Sequence, residues 1–138
     1  MELVTHKKLY LVAGRISRPL AESIAAELGE SLGEPNLADF SNGEIHCRFS
    51  ESIRGSDAFI IQTHCHAGDM SINDALMEHL IMVDAARRAS AKRITVVCPH
   101  YGYARQDRKA SGREPITAKL VANLFKEAGA SRLVSVDL

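Results

Sequence analysis

The sequence has no excess of charge of either sign. Lys plus Arg and Asp plus Glu are 17 each, so no global field draws the chain to nucleic acid or membrane, and any anion site is local. Cysteine is scarce: Cys47, Cys65 and Cys98 are an odd number with no C-x-x-C pair, which argues against a disulfide framework or a zinc ribbon and fits a reducing cytoplasm. The amino terminus carries Glu2, Lys7 and Lys8 and no long apolar segment, so neither a signal peptide nor a spanning helix is expected. Neither G-x-G-x-x-G nor Walker A is present, and there is no internal repeat or low-complexity tract. What remains is a chain of 138 residues, 46% hydrophobic, sufficient for one globular domain with its own core.

The apolar runs alternate in kind. Leu9–Ala13 reads as an inner parallel strand stopped by Gly14, the backbone pivot of a turn into a helix. In that helix Ser17 is a candidate cap, Pro19 fits the first turn, and Leu20, Ile24 and Leu28 line one face before Gly29. Asn42-Gly43 between two extended runs signals a hairpin, with Ile45, Cys47 and Phe49 on one face of its second strand. Ser50–Gly55 reads as a loop or a single helical turn before the strand Ala58–Gln62. In the segment 63–70, His64, Cys65, His66 and Asp69 make a metal site imaginable, but an irregular loop enforces no convergence, and no metal ligand is assigned. Ser71, with Asp74 three residues on, caps a helix over Asn73–Ala89 that is apolar on more than one stripe, so packing on the sheet with one face and on another subunit or domain with a second is expected. The strand Arg93–Cys98, the helix marked by Ile116, Leu120, Val121, Leu124 and Phe125, and the strand Arg132–Leu138 complete the chain. This order implies an α/β fold: a mostly parallel sheet with helices on both faces, plus a β-hairpin.

Between the strand at Cys98 and the helix at Pro115 lies a loop with Tyr101 and Tyr103, then Arg105, Arg108, Lys109 and Arg113. Loops at the carboxyl ends of parallel strands are where α/β proteins bind ligands, and this one suits a polyanion. Its guanidinium and ammonium groups neutralise phosphates, Gln106 offers hydrogen bonds to a base or sugar, and a tyrosine ring packs on a ring of the ligand. A solvated surface loop is the alternative reading of the same charges. Ala110, Ser111 and Gly112 hold little in place, so an ordered Arg105 and a mobile stretch over 108–113 are expected without ligand. Phe40, beside the hairpin turn, is either a core residue or a platform for a base.

Four segments in one order, 40–44, 51–55, 103–109 and 115–122, resemble the ribose-phosphate pyrophosphokinases, and the likeness runs from about Leu9 to Leu138. The resemblance implies a phosphoribosyltransferase-like fold and transfer of the diphosphoryl group of ATP to ribose 5-phosphate, with magnesium. It implies that residues 1–138 are the amino-terminal, ATP-binding domain of a two-domain enzyme. It assigns Phe40, Asn42 and Glu44 to a hairpin that reaches a neighbouring subunit's ATP site, so that Phe40 is exposed rather than core. Arg105 and Gln106 become ATP-contacting residues, and Arg105 and Lys109 catalytic ones, with the loop after Asp107 closing over the phosphates. Ser52 and Arg54 match a regulatory phosphate or ADP site at a subunit interface, and the partners are ATP, ribose 5-phosphate and further copies of the chain in a homo-oligomer.

Two features depart from the family pattern. The connection from Thr63 to Ile72 is a few residues longer than usual, and both the magnesium-ligating histidine that follows Asp-Leu in the family and the ribose 5-phosphate loop are missing. The chain by itself is therefore expected to be inactive. A non-catalytic nucleotide-sensing or assembly module of the same fold is the rival reading, and an intact Arg105, Gln106 and cationic loop favour the enzyme over it.

Overall fold

In the computed structural model, which describes residues 8–109 and 111–137, the alternation becomes a single parallel sheet with an appended hairpin. Glu2 and Lys7 of the charged amino terminus, Ala110 of the cationic loop and Leu138 at the end of the last expected strand lie outside the described residues. The elements run β1 (Leu9–Ala13), a 3-10 turn (Arg15–Ser17), α1 (Arg18–Leu28), β2 (Pro35–Asp39), β3 (Ile45–Phe49), β4 (Asp57–Ile61), α2 (Ile72–Arg88), β5 (Arg93–His100), α3 (Thr117–Ala128) and β6 (Arg132–Asp137). β1, β4, β5 and β6 lie in that order, every neighbour parallel, while β2 and β3 pair only with each other, antiparallel.

The strand period of two divides the core between the faces of the sheet. Tyr10, Val12, Ala58, Ile60, Ile94, Val96 and Cys98 point to one side, where they meet Met82, Val83 and Ala86 of α2 and Val121 and Phe125 of α3. Ala13 and Ile61 point to the other side and meet Ala21 of α1, with Ile24, Leu32 and Val97 beside them. The larger cluster carries most of the burial, at about 1.5–3 kcal/mol for each large side chain taken from water. Among the described residues, no helix is long and apolar enough to cross a membrane.

Several local expectations change for physical reasons. Ser17 does not cap α1 with its side chain; its hydroxyl accepts from the Thr63 N–H at 2.7 Å and ties the first helix to the end of β4. The face that α1 buries runs through Ala21 and Ala25 with Ile24 half-buried beside them, leaving Leu20 and Leu28 exposed. Gly14 has an ordinary extended backbone (φ −69°), so conformational freedom is not its role. A Cβ there would lie 2.3 Å from the Gln62 carboxamide, and the buried Gln62 side chain occupies that space. Ser71 and Asp74 form the expected reciprocal cap of α2. Part of the apolar surface of α2 is met inside the chain, since β3 covers one flank and α3 another, and Ile72 stays exposed at its start. Met77 remains exposed.

Candidate functional site

The carboxyl ends of β4 and β5 open into a cleft of about 790 Å³. One wall is the segment after β5, Tyr101 to Gln106, and the other is formed by His66 and the start of α2 at Ser71, Ile72 and Asn73. Both arise because a parallel strand must leave the sheet at its carboxyl end and return through a helix. The connection after β4 supplies His66 and Ser71 to the wall, and a tight turn at Gly68 (φ +56°) folds it back through paired Ala67–Met70 hydrogen bonds.

The segment carrying Arg105 is tied down at several points. The Tyr101 hydroxyl donates to the Ala118 carbonyl at 2.7 Å, and burial pushes its phenol up to about 12. Tyr103 holds a left-handed backbone (φ +67°), uncommon for a bulky residue and strained by about 1–3 kcal/mol. Its hydroxyl bonds to Asn73 Oδ1, and its carbonyl accepts from the Gln106 N–H at 2.9 Å. The Gln106 carbonyl in turn accepts from the Ala118 N–H at 3.0 Å, anchoring the segment on α3. Arg105 and Gln106 therefore start from a fixed backbone with their side chains in solvent. Of the two tyrosines proposed to pack on a ligand ring, Tyr101 is built into the wall, and only Tyr103 keeps a half-buried ring at the cleft.

The sequence-predicted residues fall into three separate places. Arg105 and Gln106 line the cleft together. Phe40, Asn42 and Glu44 sit on the hairpin turn outside its lining: Phe40 is 56% exposed with its ring 5.4 Å from that of His46. Asn42 Nδ2 donates to the Glu44 carboxylate, and the Glu44 N–H donates back to Asn42 Oδ1 at 3.1 Å. Ser52 and Arg54 flank Ile53, which is fully buried and anchors the loop, so that both line a second cleft of about 430 Å³ with Arg48 and Arg88. Lys109, Arg108 and Arg113 are exposed, and beyond them Ser111 Oγ donates to Glu114 Oε1 at 2.8 Å, closing the far turn.

Two constellations were missed from sequence. The first centres on Glu78, fully buried on α2: its carboxylate accepts from Arg15 N at 2.7 Å, Arg15 Nε at 2.6 Å and Gln62 Nε2 at 3.0 Å. Arg15 then reaches Asp39 at 2.8 Å, so one arginine clamps the end of β2 to the start of α1 and the middle of α2. The Arg15 guanidinium holds the Asp39 carboxyl below the usual range, through the hydrogen bond first and its charge second.

The second constellation is a buried histidine pair. Far from sharing a metal with Cys65 and His66, His64 points into the core, where its Nε2 lies 3.0 Å from His79 Nδ1. His79 Nε2 is 2.8 Å from the Ile60 carbonyl, which only accepts, so His79 carries its proton there and its Nδ1 accepts from His64. His64 Nδ1 then accepts from the Gly102 N–H at 2.9 Å. Burial, more than neighbouring charge, pushes His64 down to about 4 and His79 to about 3, so both rings stay neutral. The Cys98 sulfur lies with these nitrogens inside 4.8 Å, but all four ring nitrogens are engaged, which leaves no imidazole lone pair for a cation. Periodicity contained a signal: His79 and Glu78 fall on the same stripe as Ala75, Met82 and Ala86.

Comparison with known proteins adds an independent line. A family profile described as the N-terminal domain of ribose phosphate pyrophosphokinase matches residues 9–129. The chain is similar to a ribose-phosphate pyrophosphokinase of Bifidobacterium longum, 53% identical over 132 residues, covering 96% of this chain and 38% of that protein. It is 57% identical over 122 residues to a putative ribose-phosphate pyrophosphokinase 1 of Enterococcus faecalis, covering 88% of this chain and 36% of that one. The crystal structure of phosphoribosylpyrophosphate synthetase from Mycobacterium smegmatis superposes with a TM-score of 0.88 at 53% identity, over 94% of this chain and 42% of that one. The chain thus spans well under half the length of these relatives.

Proposed function

Because the chain belongs to the ribose-phosphate pyrophosphokinase family, we propose that it is the ATP-binding half of an enzyme that makes phosphoribosyl pyrophosphate from ATP and ribose 5-phosphate. The observation that carries this reading is the cleft beyond β4 and β5, where Arg105 and Gln106 project from an anchored backbone. In the reaction the anomeric oxygen of the sugar attacks the β-phosphorus, the bond to the oxygen bridging the α-phosphate breaks, and AMP leaves. Arg105 offers a planar fork of donors to phosphate oxygens, and the exposed cations Arg108 and Lys109 extend the positive surface from which the loop closes as charge moves toward the leaving AMP.

The hairpin serves a second copy of the chain. An exposed Phe40 ring stacks on adenine, while Asn42 presents its remaining amide N–H donor and Glu44 its carboxylate acceptor to the edge of the base. Ser52 and Arg54, with Arg48 and Arg88 in the same cleft, suit a regulatory phosphate or ADP. Magnesium enters with the nucleotide: the cleft lining among the described residues contains no carboxylate, so these residues do not build a resident magnesium site.

Titration calorimetry with a non-hydrolysable ATP analogue and magnesium tests the reading. Arg105→Lys, which keeps the charge and loses the fork, should weaken binding by about 1–3 kcal/mol; equal affinity would remove Arg105 from the site. Release of AMP dependent on ribose 5-phosphate, measured after adding the carboxyl-terminal portion of a relative, separates an enzyme half from a nucleotide-sensing module, which would bind ATP and release none.

A further inference from the structure

The histidine pair lies behind the cleft and touches none of the exposed cations, yet it ends on the backbone that carries them. His64 brackets that backbone twice: its own N–H donates to the His100 carbonyl at 3.1 Å, and its ring accepts from the N–H of Gly102 at 2.9 Å. The ring has no freedom to move aside. It stacks on Phe125, with centroids 5.9 Å apart and planes at 5°, and it is bonded to His79, whose edge also meets Phe125 at 5.0 Å. Gly102 fits against it because a Cβ there would lie 2.9 Å from His64 Cβ. Three residues beyond Gly102 stands Arg105.

We propose that His64 is a positioning residue for the nucleotide cleft: its Nδ1 accepts from the Gly102 N–H and so sets the placement of the segment that presents Arg105 and Gln106, while His79, itself held by the Ile60 carbonyl, fixes the His64 ring in the tautomer that leaves Nδ1 free to accept. The donor sense runs one way. The Gly102 N–H gives to His64 Nδ1, the His64 Nε2–H gives to His79 Nδ1, and the His79 Nε2–H gives to the carbonyl of Ile60 in β4. A fixed phosphate-binding guanidinium needs a supporting set of bonds behind it, and a bond buried away from water supplies one that solvent does not compete for. The inference rests on the reading that this cleft takes ATP.

Two substitutions at one position separate positioning from packing. His64→Asn places an amide oxygen where Nδ1 stood, keeping the acceptor for Gly102 and losing the link to His79. His64→Gln places a donor where Nε2 stood, keeping the link to His79 and losing the acceptor for Gly102. Both lose the stack on Phe125, so a purely structural role predicts similar behaviour. The expected result is that Asn retains the downfield amide proton of Gly102 and binds the magnesium–ATP analogue within about twofold of the parent, whereas Gln loses the amide shift, moves the Arg105 and Gln106 amides, and binds about tenfold more weakly, the loss of one buried hydrogen bond. Equal amide shifts in the two variants would overturn the proposal. Long-range ¹⁵N spectra of the unaltered chain test it without any variant: both rings should be Nε2–H tautomers, and an Nδ1–H on His64 would end the matter. If the parent binds no nucleotide, the ATP reading fails, while the tautomers and the Gly102, Arg105 and Gln106 amides still decide the positioning role.

Discussion

Glu78→Ala is expected to cost about 3 kcal/mol of stability, because it removes one acceptor shared by three donors. The carboxylate has no solvent contact, and its loss leaves the Arg15 N–H, the Arg15 side chain and the Gln62 amide without their partner. The empty volume adds a cavity term. Arg15 is partly exposed and regains some hydration, which keeps the cost at the lower end of what broken buried pairs show. The same change should free the β2 end of the hairpin, since the Arg15 that grips Asp39 is itself oriented by Glu78. Urea unfolding measures the first effect and amide exchange over β2 and β3 the second. A loss below about 1 kcal/mol would mean that the network contributes little to stability.

Acid should destabilise the chain well above the usual carboxylate range. In the folded state burial holds His64 near 4 and His79 near 3, whereas in the unfolded chain both take the ordinary value of 6.5. The sign follows directly: below pH 6.5 the unfolded state binds protons that the folded state refuses, so stability falls with pH until the folded values are reached. Two such groups remove roughly 4–5 kcal/mol between pH 6.5 and 4.5, each slope rising from half its limit at pH 6.5 toward about 1.4 kcal/mol per pH unit as the unfolded rings become fully protonated. Asp39 and Glu34, held low by Arg15 and Arg18, add their losses only below their ordinary values of 3.8 and 4.5, as pH falls through their lower folded values. Unfolding free energies across this window should therefore slope steeply in the parent and about half as steeply in the His64→Asn variant. A flat profile in the parent would contradict the buried, neutral pair.

How far the sequence reaches depends on whether a feature is periodic or paired. The strands, the Asn42-Gly43 turn and the Ser71–Asp74 cap are local signals and appear where their residues indicate, whereas α3 starts at Thr117, after Pro115, and buries Val121 and Phe125 while Leu120 and Leu124 of its expected apolar face stay exposed. The placement of Arg105 and Gln106 at a cleft was legible because loops beyond the carboxyl ends of parallel strands line the crevice of an α/β fold. Alternation in β3 placed Cys47 and Phe49 toward α2, but nothing local says that Leu20 and Leu28 yield the buried face of α1 to alanines. That depends on which face of the helix the chain turns toward the sheet. Gly14 and Gln62, Arg15 and Glu78, and His64 and His79 are pairs distant in the chain, and their meaning exists only once the fold brings them together.

The register of β1 has a consequence for the order in which the chain folds. β4, β5 and β6 are joined to their neighbours by single helices, whereas β1 aligns Leu9 with Asp57 only after α1 and the whole hairpin have been looped out between them. Closing that long loop is the most costly entropic step of sheet assembly, so the β4–α2–β5–α3–β6 unit is expected to form the nucleus and β1 to dock onto it late. Val96→Ala in β5 should then slow refolding, while Val12→Ala in β1, equally buried, should chiefly accelerate unfolding. Stopped-flow measurements on the two variants distinguish this sequence of events from one in which the first strand to be synthesised also leads the assembly.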